Sequence, residues 1–235
     1  MVSTSAQNNL SKSTFRLGVG GRWSANDLEA CLASILQPMG WSVCSRDEEG
    51  DGAGTAQSQN PQMLGMLEIL PLGDGLGHGA FCNDDEELDA VIISPLNGGL
   101  SGDSEDQVRI VRKHLARFVR QLKPGGATIF AADDPASDIF SSIRLDCQRL
   151  GYALTGVQGA YRIVPSERPE LVTLSNFRLV GPEGDADWPI SSDTSDRWPL
   201  VLAVLAAVEV LGVSNMTKAL GLLSASFGSV SPSVA

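Results

Sequence analysis

The stretch from Phe15 to Val43 constrains the fold more than any other part of the chain. A short apolar run containing Leu17 and Val19 leads into a glycine turn, and a helical pattern follows from about Ala25 to Leu36. In such a strand, turn and helix layout, backbone N–H groups and the helix N-terminus can face a bound phosphate. The stretch therefore predicts the first strand and helix of an α/β domain, with a potential anion site between them.

The turn contains Gly18, Gly20 and Gly21. A dinucleotide fingerprint of the form G-x-G-x-x-G would need a third glycine at position 23, where the chain has Trp23. Two glycines at this spacing are a weak signal, and they are more typical of a tight turn between a strand and a helix. The glycines alone leave both interpretations open.

The opening of the predicted helix lacks the side chains of an ATP phosphate loop. Such a loop has a lysine that neutralises phosphate charge, followed by a Ser or Thr hydroxyl that holds Mg²⁺. The chain instead has Ser24, Ala25, Asn26 and Asp27 in succession, and Asp27 adds negative charge. The backbone of the turn could still hold an anion weakly.

Further along the chain, buried apolar runs alternate with helical patterns. Leu88–Ser94 and Ala127–Ala131 are nearly continuous apolar runs, as found inside parallel sheets. A long helix is predicted from about Asp106 to Lys123, and another at roughly Ser137–Leu150. This alternation predicts an α/β fold with a doubly wound, mostly parallel sheet and flanking helices.

The last third of the chain changes character. Short alternating segments predict a small β-rich layer near residues 153–190, and two helices follow at about Pro199–Leu211 and Asn215–Leu223. The domain prediction is a disordered leader at 1–14, one α/β domain at 15–228 and a flexible tail at 229–235.

Net charge argues against nucleic acid as a partner. The chain has 235 residues and a formal net charge of −11, so it repels phosphate backbones overall. The segment Arg109–Lys123 is rich in basic residues, which at helical spacing is typical of a solvated helix face. A local site for an anion or an acidic protein is the alternative.

The cysteines and the apolar runs indicate the cellular compartment of the protein. Cys31, Cys44, Cys82 and Cys147 show no C-x-x-C pairing, which favours free thiols in a reducing compartment. The most apolar run, Trp198–Val213, contains an acidic residue and is too short to span a bilayer. We therefore expect a cytoplasmic protein without a membrane partner.

Acidic residues at two places are candidates for a site. Glu68 lies in the apolar run Met63–Leu70, where it could hold a metal ion or pair with a cationic side chain. Asp133 and Asp134 follow a predicted strand, at the edge where open α/β sheets bind ligands. The pair could equally cap the helix that follows.

Taken together, these segments resemble the central domain of the Mur ligase family, most closely the Mur-ligase-like part of cyanophycin synthetases, over about residues 15–228. The strand, glycine turn and helix, the acid-bearing strand at Glu68, the apolar strand Leu88–Ser94 and the segment Ala132–Pro135 carry the resemblance in order. The closing helices, from Val201 onward, are similar to the family's adenine-side helices.

The resemblance implies a particular chemistry and a particular site. The family joins an amino acid to a carboxylate through an acyl phosphate made from ATP, with Mg²⁺, and a further C-terminal domain brings in the amino acid. That domain would begin near Phe227. On this chain the implied nucleotide site comprises Gly18, Gly20, Gly21, Ser24, Ala25, Asn26, Asp133 and Asp134, with Glu68 as the implied metal ligand.

Most positions that would carry this chemistry depart from the family pattern. Ala25 and Asn26 replace the lysine and the Mg²⁺-binding threonine, Leu115 falls near the place of a metal-bridging lysine, and Leu200 replaces an asparagine that contacts adenine. Losing several such groups together removes the charge stabilisation that the reaction needs. The sequence therefore predicts an inactive domain without catalytic residues or a cofactor, which acts through a protein partner or self-association.

Two alternatives stay open. An ATP-dependent ligase with an atypical site would still use ATP and Mg²⁺. A class I methyltransferase using S-adenosylmethionine is suggested by Leu88–Ile93 followed by Leu122–Gly126, although the glycine motif fits that family poorly.

Overall fold

The computed structural model describes residues 14–21, 23–46, 64–73, 86–96, 105–153, 159–165, 177–182, 184–187, 197–213 and 218–223. The predicted tail and nearly all of the predicted leader lie outside these ranges, apart from Thr14, which begins the first strand. Most of the acidic segment 45–61 also lies outside them.

The described residues form one nine-stranded sheet with helices on both faces. The strands are β1 (Thr14–Gly20), β2 (Trp41–Ser45), β3 (Gly65–Pro71), β4 (Leu88–Ile93), β5 (Leu122–Ala131), β6 (Gln148–Ala153), β7 (Tyr161–Pro165), β8 (Phe177–Gly181) and β9 (Gly184–Asp187). The α-helices are α1 (Ala25–Leu36), α2 (Glu105–Arg120) and α3 (Trp198–Val210), and residues 218–223 are also helical.

The sheet order is β2-β3-β1-β4-β5-β6-β7-β8-β9. Neighbouring strands from β2 to β7 pair in parallel, while β7, β8 and β9 pair antiparallel. The chain leaves β1 toward one edge of the sheet and leaves β4 toward the other. The carboxyl ends of β1 and β4 therefore flank the crevice in which open α/β sheets bind ligands.

Two apolar clusters, one on each face, hold the sheet between its helices. Helices α1 and α3 and residues 218–223 cover one face, while α2 packs on the other against β4 and β5. From Trp198 to Val208, helix α3 is apolar around its whole circumference, and every residue of that part except Pro199 is buried. A helical segment that is apolar on all sides is expected inside a core.

The segment predicted to form a helix over Ser137–Leu150 is different in the structure. A 3₁₀ helix spans only Pro135–Ser141, and the chain then enters β6. The hydroxyls of Ser141 and Ser142 donate to the backbone carbonyls of Asp138 and Ile139, at 2.7 and 3.0 Å. Such local bonds compete with helix propagation.

The β-rich segments predicted near residues 153–190 do form strands where the structure describes them. Strands β7, β8 and β9 extend the main sheet at one edge. The segment Trp188–Ile190 lies outside the described residues. Among the helices that are described, none combines the length and the apolar character needed to cross a membrane.

Candidate functional site

The glycine turn lies at the carboxyl end of β1, beside β4. The backbone N–H of Ser94, just past β4, donates to the carbonyl of Gly20 at 3.0 Å. On the other side, the N–H of Leu72 donates to the carbonyl of Val19 at 2.8 Å. The turn is therefore anchored by the loops that follow both neighbouring strands.

The glycines of the turn make room for side chains from distant parts of the chain. A Cβ on Gly18 would lie 2.9 Å from a methyl carbon of Leu72, and a Cβ on Gly20 would lie 2.3 Å from Cδ2 of Leu115. Leu115 belongs to α2 and is fully buried. These two glycines thus serve the packing of apolar side chains onto β1.

Gly21 needs to be glycine for a conformational reason. Its φ is +94°, in a region that side chains rarely adopt, and a Cβ there would lie 2.1 Å from Oγ of Ser94. The turn can therefore be tight without any ligand being present.

At the N-terminus of α1, the side chains are engaged with one another. The hydroxyl of Ser24 accepts from the N–H of Asp27 at 3.1 Å, which is a standard N-cap, and donates to that residue's carboxylate at 2.8 Å. Ala25 is buried with 9% exposure, and Asn26 accepts from the hydroxyl of Ser45 at 3.2 Å. The residues at the predicted phosphate-loop positions thus lie together at the start of α1, where Ser24 caps the helix.

Trp23, at the place of the missing third glycine, stacks on Tyr152 with ring centroids 6.0 Å apart. Tyr152 is buried at the end of β6, and its hydroxyl donates to the carbonyl of Ile93 at 3.0 Å. Burial raises the pKa of Tyr152 well above its ordinary value, and the nearby charges of Asp134 and Asp133 add to this. The aromatic pair therefore joins the turn to β4 and β6.

Asp134 is a buried hydrogen-bond acceptor. Its carboxylate accepts from the N–H of Ala136 at 2.9 Å, from the hydroxyl of Ser137 at 3.3 Å and from the N–H of Leu96. The side chain caps the 3₁₀ helix and also ties the loop after β4 to the loop after β5. Asp133 is exposed beside it. The described contacts of Asp134 are those of a helix cap. Capping is one of the two interpretations that the sequence left open.

Glu68 lies away from the turn, in the middle of β3. It pairs in register with Arg16, four residues before the end of β1. One carboxylate oxygen accepts from Nε of Arg16 at 3.2 Å, and the other accepts from Nη2 of Arg46 at 2.8 Å. Arg46 in turn binds Glu86 at 2.8 Å. The structure thus separates Glu68 from Gly20, Ser24 and the aspartate pair.

The ion pairing of Glu68 agrees with one interpretation that the sequence left open, but sequence reasoning missed its partners and the extent of the charged network. It continues at Asp89, whose carboxylate accepts from the backbone N–H of Arg16 at 2.8 Å and from Nζ of Lys123 at 2.7 Å. The available signal was a cation inside an apolar strand, Arg16, which needs a charged partner when partly buried. Across the described ranges, no group of three or more His, Cys, Asp or Glu side chains is placed to hold a metal ion.

Comparison with solved structures identifies the fold. MurF from Acinetobacter baumannii superposes with a TM-score of 0.58 and 17% identity, covering 90% of this chain and 46% of that one. The fold is that of the Mur ligase central domain. The chain spans about half the length of the MurF structures it matches.

Two further solved structures extend the comparison. The murein peptide ligase Mpl from Neisseria meningitidis gives a TM-score of 0.58 at 15% identity, covering 90% of this chain and 66% of that one. FolC from E. coli, in complex with DHPP and ADP, gives 0.55 at 11% identity, covering 90% and 57%. No family model and no curated protein matches the sequence. The predicted Mur-ligase-like fold is confirmed, while the particular resemblance to cyanophycin synthetase stays a prediction.

Proposed function

We propose that this chain is a Mur-ligase-like domain that has lost ligase activity and now acts as a protein-interaction module. The observation that carries the proposal is the packing of Leu115 onto Gly20, at the switch point of the sheet. An apolar side chain fills space beside the turn, near the place where the ligase resemblance implies a metal-bridging lysine, and Lys113 is two residues away in sequence. Fold similarity alone does not decide activity, so the proposal rests on these residues.

The N-terminus of α1 supports the same conclusion. Phosphate transfer depends on a cation and a metal-binding hydroxyl at this place. Ala25 supplies neither group, and the hydroxyl of Ser24 is already engaged with Asp27. A phosphate here would approach the Asp27 carboxylate without a lysine to offset the repulsion.

The position of Glu68 gives further support. Both carboxylate oxygens accept from guanidinium groups, so a metal ion would have to displace Arg16 and Arg46. Replacing two charge-assisted hydrogen bonds in a partly buried site is costly. Glu68 therefore fits a structural role better than a metal-binding one.

Calorimetric titration with ATP and Mg²⁺ tests the loss of nucleotide binding. We expect no binding tighter than about 1 mM, which corresponds to about 4 kcal/mol. Micromolar binding of ATP that Glu68→Ala abolishes would contradict the proposal. The double variant Ala25→Lys with Asn26→Thr is the matched gain-of-function comparison, and we expect it to recover weak binding at most.

The second candidate is an ATP-dependent ligase with an atypical site. The observation that favours it is that the loop after β4 joins the glycine turn to Asp134, since the N–H of Ser94 donates to Gly20 and the N–H of Leu96 donates to Asp134. Release of ADP from ATP by the purified chain, stimulated by a carboxylic acid and an amino acid, would establish this alternative. The methyltransferase alternative predicts heat on adding S-adenosylmethionine alone, and the Mur-ligase-like fold gives no reason to expect it.

The partner and the compartment are also proposals. We expect a specific protein complex, or association between copies of this chain, in the cytoplasm of the source cell. Affinity capture at native concentration followed by mass spectrometry would identify the partner. Recovery of the free chain alone would count against the interaction role.

A further inference from the structure

Helix α2 carries a stripe of cationic side chains on its outer face. The buried residues of α2 are Leu115, Ala116, Phe118 and Val119, and the main contacts of the helix are with β4, β5 and the 3₁₀ helix. The opposite side carries Arg109, Lys113, Arg117 and Arg120, all exposed. Their i, i+4, i+8 and i+11 spacing places them on one side of the helix.

We infer that this cationic stripe is a docking surface for a short acidic segment of a partner protein. The inference rests on the proposed function, because it names the surface and the partner chemistry of that interaction module. The stripe is about 16 Å long at the helical rise per residue. This length suits a short acidic helix or a few residues of extended chain.

Charge complementarity is the first argument for an acidic partner. Helix α2 has five Lys and Arg side chains against two acidic ones, whereas the whole chain has a net charge of −11. Opposite potentials steer association and fix the docking orientation. A long polyanion such as nucleic acid would extend past the stripe and meet the acidic remainder of the chain. A short acidic segment can stay within the stripe.

Exposed apolar side chains at both ends of the stripe are the second argument. The described residues include three large hydrophobic side chains that are strongly exposed, and two of them, Ile110 and Leu145, adjoin the stripe. Ile110 follows Arg109 on the helix. Leu145 follows Arg144, whose guanidinium donates to the carbonyl of Arg120 at 2.9 Å. Apolar contacts beside charged ones are typical of a binding surface.

The rigid placement of the stripe is the third argument. Arg144 also donates to the carbonyl of Leu122 at 2.7 Å and binds Asp146 through two further hydrogen bonds, so the end of α2 is held in place. The ion pair of Arg109 with Asp106 is exposed on both sides, and such pairs are easily exchanged for a partner.

Fluorescence anisotropy tests the inference with a labelled 12-residue peptide that has Glu at i, i+4, i+8 and i+11 and Leu near both ends. The control peptide has Gln in place of every Glu. The full chain should bind the Glu peptide at least about tenfold more tightly than the Gln peptide, and affinity should fall about tenfold between 50 and 300 mM salt.

The protein variants form a matched pair. Lys113→Glu reverses a charge within the stripe, whereas Lys218→Glu reverses an exposed charge on the helical segment that covers the other face of the sheet. Lys113→Glu should weaken peptide binding about fivefold or more, and Lys218→Glu should leave it within about twofold. Equal effects of the two variants, or equal binding of the two peptides, would overturn the inference.

Competing ligands complete the test. Tighter binding of a 12-nucleotide DNA or of phosphatidylserine vesicles than of the Glu peptide would also overturn the inference, in favour of those anions. ATP turnover by the same preparation would overturn the proposed loss of activity without changing the peptide result. The two failures are therefore distinguishable.

Discussion

Leu115 of α2 packs so closely on Gly20 of β1 that its Cδ2 lies 2.3 Å from the place of an added Cβ. The two residues are far apart in sequence, yet together they decide what the glycine turn can hold. Glycine at position 20 lets the helix approach the end of the strand, and the leucine then excludes other groups from that place.

A double-mutant cycle should detect the packing of Leu115 on Gly20. Gly20→Ala should lower the free energy of unfolding by about 1–3 kcal/mol through overpacking, and Leu115→Ala by about 2–5 kcal/mol through cavity formation. The double variant should lose less than the sum of the two effects, because the smaller side chain makes room for the new methyl group. Urea denaturation followed by circular dichroism measures all three changes.

Gly221→Ala is the matched control for this cycle. Gly221 is helical and has open space where a Cβ would be added. We expect this change to be neutral or to stabilise by about 0.5 kcal/mol. Strict additivity of the Gly20 and Leu115 effects would show that the two residues do not share the space.

Asp134→Asn should be destabilising by about 1–3 kcal/mol, because one carboxylate oxygen becomes an amide donor facing a backbone N–H. The N–H groups of Leu96 and Ala136 bind different oxygens of this buried carboxylate. In either orientation of the asparagine amide, its NH₂ group therefore faces one of these two N–H groups, so that a donor meets a donor. Thermal unfolding measures the effect. Asp133→Asn changes the exposed neighbour and should stay within about 0.5 kcal/mol, and an equal loss in both variants would refute the capping role.

Glu68→Gln should lower stability by about 1 kcal/mol at low salt, since the ion pairs with Arg16 and Arg46 are partly exposed. The loss should shrink in 0.5 M NaCl, where screening weakens such pairs. Glu87→Gln, at an exposed position, is the control. A wild-type unfolding midpoint that falls on adding EDTA, and does not fall in Glu68→Gln, would instead assign Glu68 to a metal.

Cys31 should make stability depend on pH in the alkaline range. Burial, with a smaller contribution from Asp27, raises the pKa of this thiol from 9.0 to about 11. The unfolded chain therefore loses the proton first, and stability should fall by about 1–3 kcal/mol as the pH rises from 9 to 11. The difference between the wild-type chain and Cys31→Ala isolates this contribution from other groups that titrate there.

Alkylation gives an independent check on Cys31. Only the thiolate reacts with iodoacetamide, so native Cys31 should stay unlabelled at pH 8 and become labelled in 8 M urea. Peptide mass spectrometry reads both states. Rapid labelling of Cys31 in the native chain would contradict its burial.

Sequence patterns predicted most of the sheet, because the spacing of apolar residues along a strand or helix indicates which of its faces is buried. The apolar run Leu88–Ser94 became β4, and the pattern from Ala25 to Leu36 became α1. The helix predicted after Pro135 was wrong, because the apolar residues of that segment suit a helix while its serines form local hydrogen bonds to the backbone. Periodicity alone does not weigh those two tendencies.

The candidate site was harder to predict than the fold. Sequence reasoning found Gly20, Leu115, Asp134 and Glu68, and the tertiary structure decided what each of them touches. Glu68 could have been a metal ligand or an ion-pair partner until the register of β1 and β3 set it opposite Arg16. Asp134 likewise gained its bond to Leu96 from the adjacency of β4 and β5.

The sequence by itself determined most of the order of strands and helices, the glycine turn after β1 and the absence of a phosphate-loop lysine at Ala25. These are properties of neighbouring residues, which interact whatever the rest of the chain does. Only the tertiary structure decided that Leu115 fills the space beside Gly20 and that Glu68 lies between two arginines. Those contacts join residues distant in sequence, so they exist only once the sheet register and helix packing are set.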